Sequence, residues 1–132
     1  MSFLLDQDSC IAAVRQVPLV TQRVVQHRSD LYVSAVTVVG LELWVVRART
    51  PSRYMQVYVA LSQQLKVVSV DEAIAHRAAG TGSRIRVQGR RMYTVDLLVA
   101  ATALVYGLTL VTHSPQVYAQ VPGLSIADWL IP

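Results

Sequence analysis

Three apolar residues, Phe3-Leu4-Leu5, run straight into Asp6-Gln7-Asp8, and a helical pattern follows from Ser9. So short an apolar run, followed at once by a helix, reads as a strand buried on both faces, as in parallel sheets covered by helices. A carboxylate at the end of such a strand needs a partner, because burying an unpaired charge is costly. In open α/β sheets, ligands lie just beyond the carboxyl ends of the strands. Asp6 therefore marks the place to which later segments must bring something.

A chain of 132 residues is expected to form a single domain, 1–132, with a real core. Hydrophobic residues at 53% against 15% charged exclude a disordered chain. The apolar runs are short and interrupted, none near the roughly 18 residues of a membrane span, so no membrane partner is expected. With no basic n-region and cleavage site before the first strand, no secretory signal is expected. The single cysteine, Cys10, forbids an intrachain disulfide and fits a cytoplasmic location; its apolar neighbours make it a buried, inert thiol. A net charge of +4 and a pI of about 9.6 favour anionic partners, nucleic acid or an acidic protein, although an ordinary Arg-rich surface gives the same numbers.

Along the chain, Ser9 to Arg15 reads as a short helix broken at Val17-Pro18, and Pro18 suits the first turn of a helix to about Arg28. Leu31 to Ala35 is a strand. Thr37 is positioned as the N-cap of a helix from Val38 to Arg49, which makes position 40 its third residue, where a capping box places Glu or Gln. The residue there is Gly40. Thr50-Pro51 punctuates, Ser52 to Gln64 is helical, and Lys66 to Val70 is a strand. Asp71 caps a helix to Val87 that contains Gly80 and Gly82. After the basic loop Gln88 to Arg91, Thr94 caps the apolar helix Val95 to Tyr106, with Asp96 in its first turn; Gly107 stops it. Leu108 to Thr112 is a strand, His113-Ser114-Pro115 turns into a short helix, and Leu124 to Ile126 is an edge strand. This alternation predicts an α/β fold with a mostly parallel sheet covered on both faces.

Asp6, the helix start after Ala35, the turn after Thr112 and Asp96 all fall at the carboxyl edge of such a sheet. Carboxylates drawn from separate strand ends suit a hard divalent cation, Mg²⁺ or Mn²⁺, which could activate water and neutralise a phosphodiester. Two plainer readings stand beside this: Asp96 as a favourable charge at a helix N-terminus, and Asp8 as the N-cap of the first helix. Glu42 lies roughly 200° around the helix from position 40, so it should face elsewhere and pair with a neighbouring Arg. Arg84, Arg86, Arg90 and Arg91 flank the loop leading to Asp96 and could guide an RNA backbone to it, or form a solvated helix end. His27, His76 and His113 lack ligand spacing. Trp44, Tyr54 and Tyr58 read as core or subunit contacts.

The blocks Phe3-Leu4-Leu5-Asp6-Gln7-Asp8-Ser9-Cys10-Ile11, Ser34-Ala35-Val36-Thr37, Asp96-Leu97-Leu98-Val99-Ala100-Ala101-Thr102-Ala103, Gly107 to Thr112 and Val121-Pro122-Gly123-Leu124 resemble, in the same order, PIN-domain proteins of the VapC toxin type. The resemblance implies a PIN-like fold with a parallel central sheet flanked by helices. It also implies an acidic Mg²⁺ or Mn²⁺ site, cleavage of RNA, a homodimer and a cognate antitoxin partner. The family's first acid corresponds to Asp6 and its late acid to Asp96. Its Glu three residues past the Thr falls on Gly40, and its last acidic or Asn position falls on Ser114. Asp8 is the candidate substitute ligand, with Thr37 and Thr112 adjacent to the site. Two function classes follow: a metal-dependent toxin-type endoribonuclease with impaired activity, or a degenerate PIN domain that binds RNA or protein without cutting. Gly40→Glu is expected to restore a ligand and complete a capping box with Thr37.

Overall fold

The structure, a computed structural model, describes residues 1–49 and 51–132; the predicted break at Thr50 lies outside the described residues. The elements run β1 (Phe3–Leu5), α1 (Gln7–Val14), α2 (Pro18–Gln26), β2 (Leu31–Ser34), α3 (Ala35–Arg47), α4 (Pro51–Ser62), β3 (Lys66–Val68), α5 (Glu72–Val87), α6 (Thr94–Tyr106), β4 (Thr109–Val111), α7 (Pro115–Tyr118) and β5 (Ile126–Ala127). The five strands form one sheet in the order β3-β2-β1-β4-β5, and every pairing is parallel. The first strand is thus the central one, with Leu5 aligned to Val33 on one side and to Val111 on the other.

Alternation along β1 sorts the two cores. Phe3 and Leu5 point to one face, where α1 to α4 contribute Cys10, Val14, Val20, Leu41, Val45 and Leu61. Leu4 and Leu110 point to the other, where α5, α6 and α7 contribute Ile85, Val99, Ala103 and Tyr118. Alanines on the inner face of α6 let α5 come close, and Ile74, Ala78 and Ala101 close a third cluster between the two helices. Phe3 also carries His27 and Trp129, with ring centroids 4.6 and 5.1 Å away, which accounts for His27 structurally.

Three expected caps move by a few residues. Asp6, not Asp8, caps α1: its carboxylate accepts the Ser9 N–H at 2.9 Å. Helix α3 begins at Ala35 with Ser34 as its cap, so Thr37 lies inside the helix and Gly40 is its sixth residue. The capping box expected of Thr37 and position 40 therefore cannot form. Tyr93 stands at the N-cap of α6 and Thr94 is its first helical residue. Asp71 does cap α5, accepting the Ile74 N–H at 2.9 Å, and Gly107 ends α6 in the left-handed region at φ 64°. The last edge strand pairs at Ile126–Ala127, slightly later than expected. Among the described residues, no helix is long and apolar enough to cross a membrane.

Candidate functional site

Asp6 is fixed by the junction that makes it a cap. Its backbone N–H continues the β1–β4 ladder to the Val111 carbonyl at 3.0 Å, and the Ser9 hydroxyl donates to that same carbonyl at 3.0 Å. The side chain is held between strand and helix with 7% of its surface exposed. Burial raises its pKa above the ordinary value of 3.8; Thr112 and Ser9 pull it back as hydrogen-bond donors, and the charge of Asp8 pushes it up. Thr112 is fully buried, and its oxygen also accepts the Ser114 N–H at 3.0 Å, tying the turn after β4 to the same point.

Asp96 enters from the first turn of α6, where a negative charge is favoured. The Tyr118 hydroxyl of α7 donates to its carboxylate at 3.3 Å. Tyr118 is 4% exposed, and its pKa rises steeply because burial is joined by the charges of Asp96, Asp6 and Asp8. One phenol thus senses all three carboxylates.

Asp6, Asp8 and Asp96 line a single cleft of about 280 Å³ with Thr37, Ser114 and Tyr118. Gln7 and three valines complete the wall, which contains no Lys, Arg or His. Gly40 stands behind Gln7: a Cβ at position 40 would collide with the Gln7 carboxamide, whose Cδ lies 2.7 Å from that point. Among the described residues, no three His, Cys, Asp or Glu side chains come together in metal-binding range. The donor set still fits a hydrated divalent cation, because Mg²⁺ typically takes only one or two protein carboxylates and keeps its waters. Asp6 and Asp96 would hold it, with Asp8 at the rim.

The arginines lie elsewhere. Arg84 and Arg86 are exposed on the last turn of α5, and Arg90 and Arg91 on the loop that follows. Arg86, Arg90 and Arg91 line a separate groove of about 740 Å³ with Met92, Tyr93 and Leu97, which ends at the first turn of α6. Glu42 is exposed and makes no ion pair with Arg among the described residues; it lies beside the Tyr58 hydroxyl, whose pKa rises through burial and then Glu42. His76 pairs with Glu72 at 3.2 Å and His113 with Asp128 at 2.9 Å, both outside the cleft. Cys10 is fully buried, and burial together with Asp6 holds its thiol protonated. Trp44 stacks on Tyr54 at 5.3 Å with Arg15 over its ring, a packing role.

Sequence reasoning missed Gln7 and Tyr118. Gln7 offered no chemical signal, and Tyr118 was hidden in a short apolar helix. Its spacing, Val117-Tyr118 then Val121, marks a buried face, and a phenol there requires a partner.

A five-stranded parallel sheet, helices on both faces and carboxylates gathered at its carboxyl edge define the class. The sequence model of the PIN domain matches residues 4–122, and the chain belongs to that family. It is 26% identical over 130 residues to a tRNA(fMet)-specific endonuclease VapC of Shigella flexneri, covering 98% of each chain. It is 31% identical over 97 residues to Ribonuclease VapC4 of Mycobacterium tuberculosis, covering 71% of this chain and 73% of that one. Among solved structures, DNA-bound VapBC from Salmonella typhimurium superposes with a TM-score of 0.88 at 24% identity, covering 98% of both chains. VapBC2 from Rickettsia felis gives 0.87 at 17%, covering 98% and 99%. The chain is thus a PIN domain homologous to VapC toxin ribonucleases.

Proposed function

We propose that residues 1–132 act as one cytoplasmic domain, a toxin-type endoribonuclease that hydrolyses RNA phosphodiesters with Mg²⁺ or Mn²⁺. The single observation that carries this is the cleft wall: three carboxylates and no basic side chain. A phosphate cannot approach Asp6 and Asp96 unless a cation offsets their repulsion. When bound, such an ion supplies charge neutralisation and lowers the pKa of a nearby water.

The chain's own residues do the positioning. Ser9 and Thr112 hold Asp6, and Tyr118 holds Asp96. Thr37 and Ser114 offer hydroxyls at the cleft wall. Arg86, Arg90 and Arg91 carry the RNA backbone along the neighbouring groove, with Arg84 on the helix end above. Val39, Leu43 and Val46, spaced for one face of α3, are exposed, as are Met55 and Val59 on α4. That apolar face is where a homodimer or the cognate antitoxin is expected to sit.

Gly40, Ser114 and the lack of a three-ligand cluster among the described residues favour a second reading, a degenerate domain that binds RNA without cutting. Single-turnover cleavage of a structured RNA with Mn²⁺ separates the two. Cutting by the wild type that is lost in Asp96→Asn supports the enzyme. Binding without cutting by either protein supports the degenerate module.

A further inference from the structure

The space beside Gly40 is filled. Residue 40 lies one turn on from Thr37 in α3; Thr37 lines the cleft, and residue 40 meets it through Gln7. A side chain there would start where the Gln7 carboxamide now sits: its oxygen Oε1 is the atom nearest the Cβ position, followed by Cδ at 2.7 Å and Nε2 at 3.2 Å. Gln7 is the first residue of α1, directly after Asp6, and also lines the cleft. As placed, the amide takes the space that a side chain at position 40 would use; being the far end of a flexible side chain, it would swing away if one were added.

We propose that the Gln7 carboxamide, seated over Gly40, supplies the third protein oxygen of the cleft toward a divalent cation, so that an amide stands where a third carboxylate is absent. Asn and Gln carbonyl oxygens are ordinary ligands for hard cations, and the number of charged ligands tunes the affinity. With Gln7 in this role, the cleft keeps its oxygen count near the ion but carries one negative charge fewer. That lowers the repulsion felt by Asp6 and Asp96 in the free protein, and it weakens the grip on the metal. Gly40 is then part of the site's construction, because any larger residue would evict the amide.

This rests on the reading of the cleft as a cation site, and the experiment keeps the two apart. Mn²⁺ affinity is measured by calorimetry, and melting temperature in chelator, for the wild type, Gln7→Ala, Gln7→Glu, Gly40→Glu, Asp96→Asn and the double variant Gln7→Ala/Gly40→Glu. Gln7→Ala should weaken Mn²⁺ by about tenfold, the scale on which single supporting groups act at metal sites, and the isosteric Gln7→Glu should strengthen it. Gly40→Glu alone should melt below the wild type, since its side chain displaces Gln7 beside two carboxylates. With Gln7 trimmed, the double variant should bind Mn²⁺ at least as tightly as the wild type, and the two melting shifts should depart from additivity by at least about 3 °C. Gln7→Ala with wild-type Mn²⁺ affinity, or melting shifts that simply add, overturns the assignment. If instead the wild type binds Mn²⁺ no better than Asp96→Asn, the cleft itself is not the cation site and both readings fall. Failure of the Gln7 role alone leaves that difference standing.

Discussion

Asp6→Asn should make the protein more stable and, at the same time, disable it. In the metal-free protein Asp6 is a nearly buried carboxylate whose pKa is raised, chiefly by burial. As the pH climbs past about 3.8, the unfolded chain releases this proton while the folded chain still holds it. The unfolded state is then favoured, so stability is full below that pH, falls through the window up to the folded pKa, and is level above it. Each pH unit of that window corresponds to about 1.4 kcal/mol, or roughly 5 °C of melting temperature in a chain of this size. Asparagine removes the ionisation but keeps an oxygen to accept the Ser9 N–H, and it caps helices about as well as aspartate. In chelator, Asp6→Asn should therefore melt above the wild type at pH 7 and level with it at pH 3. Asp6→Ala loses the cap as well, at about 1 kcal/mol, so it should lie below Asp6→Asn at both pH values. Saturating Mn²⁺ should raise the wild type and leave Asp6→Asn unmoved. Thermal melts across pH 3 to 8 decide the matter. If Asp6→Asn melts below the wild type at pH 7, or the two differ equally at both ends, burial is not the penalty described.

Tyr118→Phe removes one partly buried hydrogen bond, so it should cost no more than about 1.5 kcal/mol in denaturant unfolding, while Mn²⁺ affinity falls because Asp96 loses its tether. Replacing Arg86, Arg90 and Arg91 by Ala should weaken binding of single-stranded RNA at every sequence and flatten the salt dependence by about two units of log–log slope, at roughly 0.7 per phosphate contact. Leu43→Lys, on the exposed apolar face of α3, should yield monomers by light scattering where the wild type gives dimers, with an unchanged melting temperature.

Much of the fold was legible because its signals are local. Buried strands read as apolar runs, Asp71 announced α5, and Gly107 announced the end of α6. Caps were harder, because strands here end directly in helices. Ser34 closes β2 and caps α3, and Asp6 ends β1 and caps α1, so one residue does two jobs and the next polar residue looks like the cap. Asp6 and Asp96 could be chosen from their position at element ends. The Gln7–Gly40 contact and the Tyr118–Asp96 bond join residues 33 and 22 apart in sequence, and no periodicity reports on them. The separation of the arginine groove from the acidic cleft is likewise a matter of which side of α6 each faces.

The strand order carries a consequence for the chain as it is made. β1 is synthesised first yet sits at the centre of the sheet, and its residue 3 pairs with residue 109, 106 positions later. Asp6 has no wall opposite it until α6, β4 and α7 have left the ribosome. Closing so long a loop slows folding, because its entropy must be lost before the contact stabilises anything. A nascent or truncated chain therefore carries the first acid of the cleft without the second. Whatever the cleft does, no chain can do it before its own residues through Tyr118 have been made.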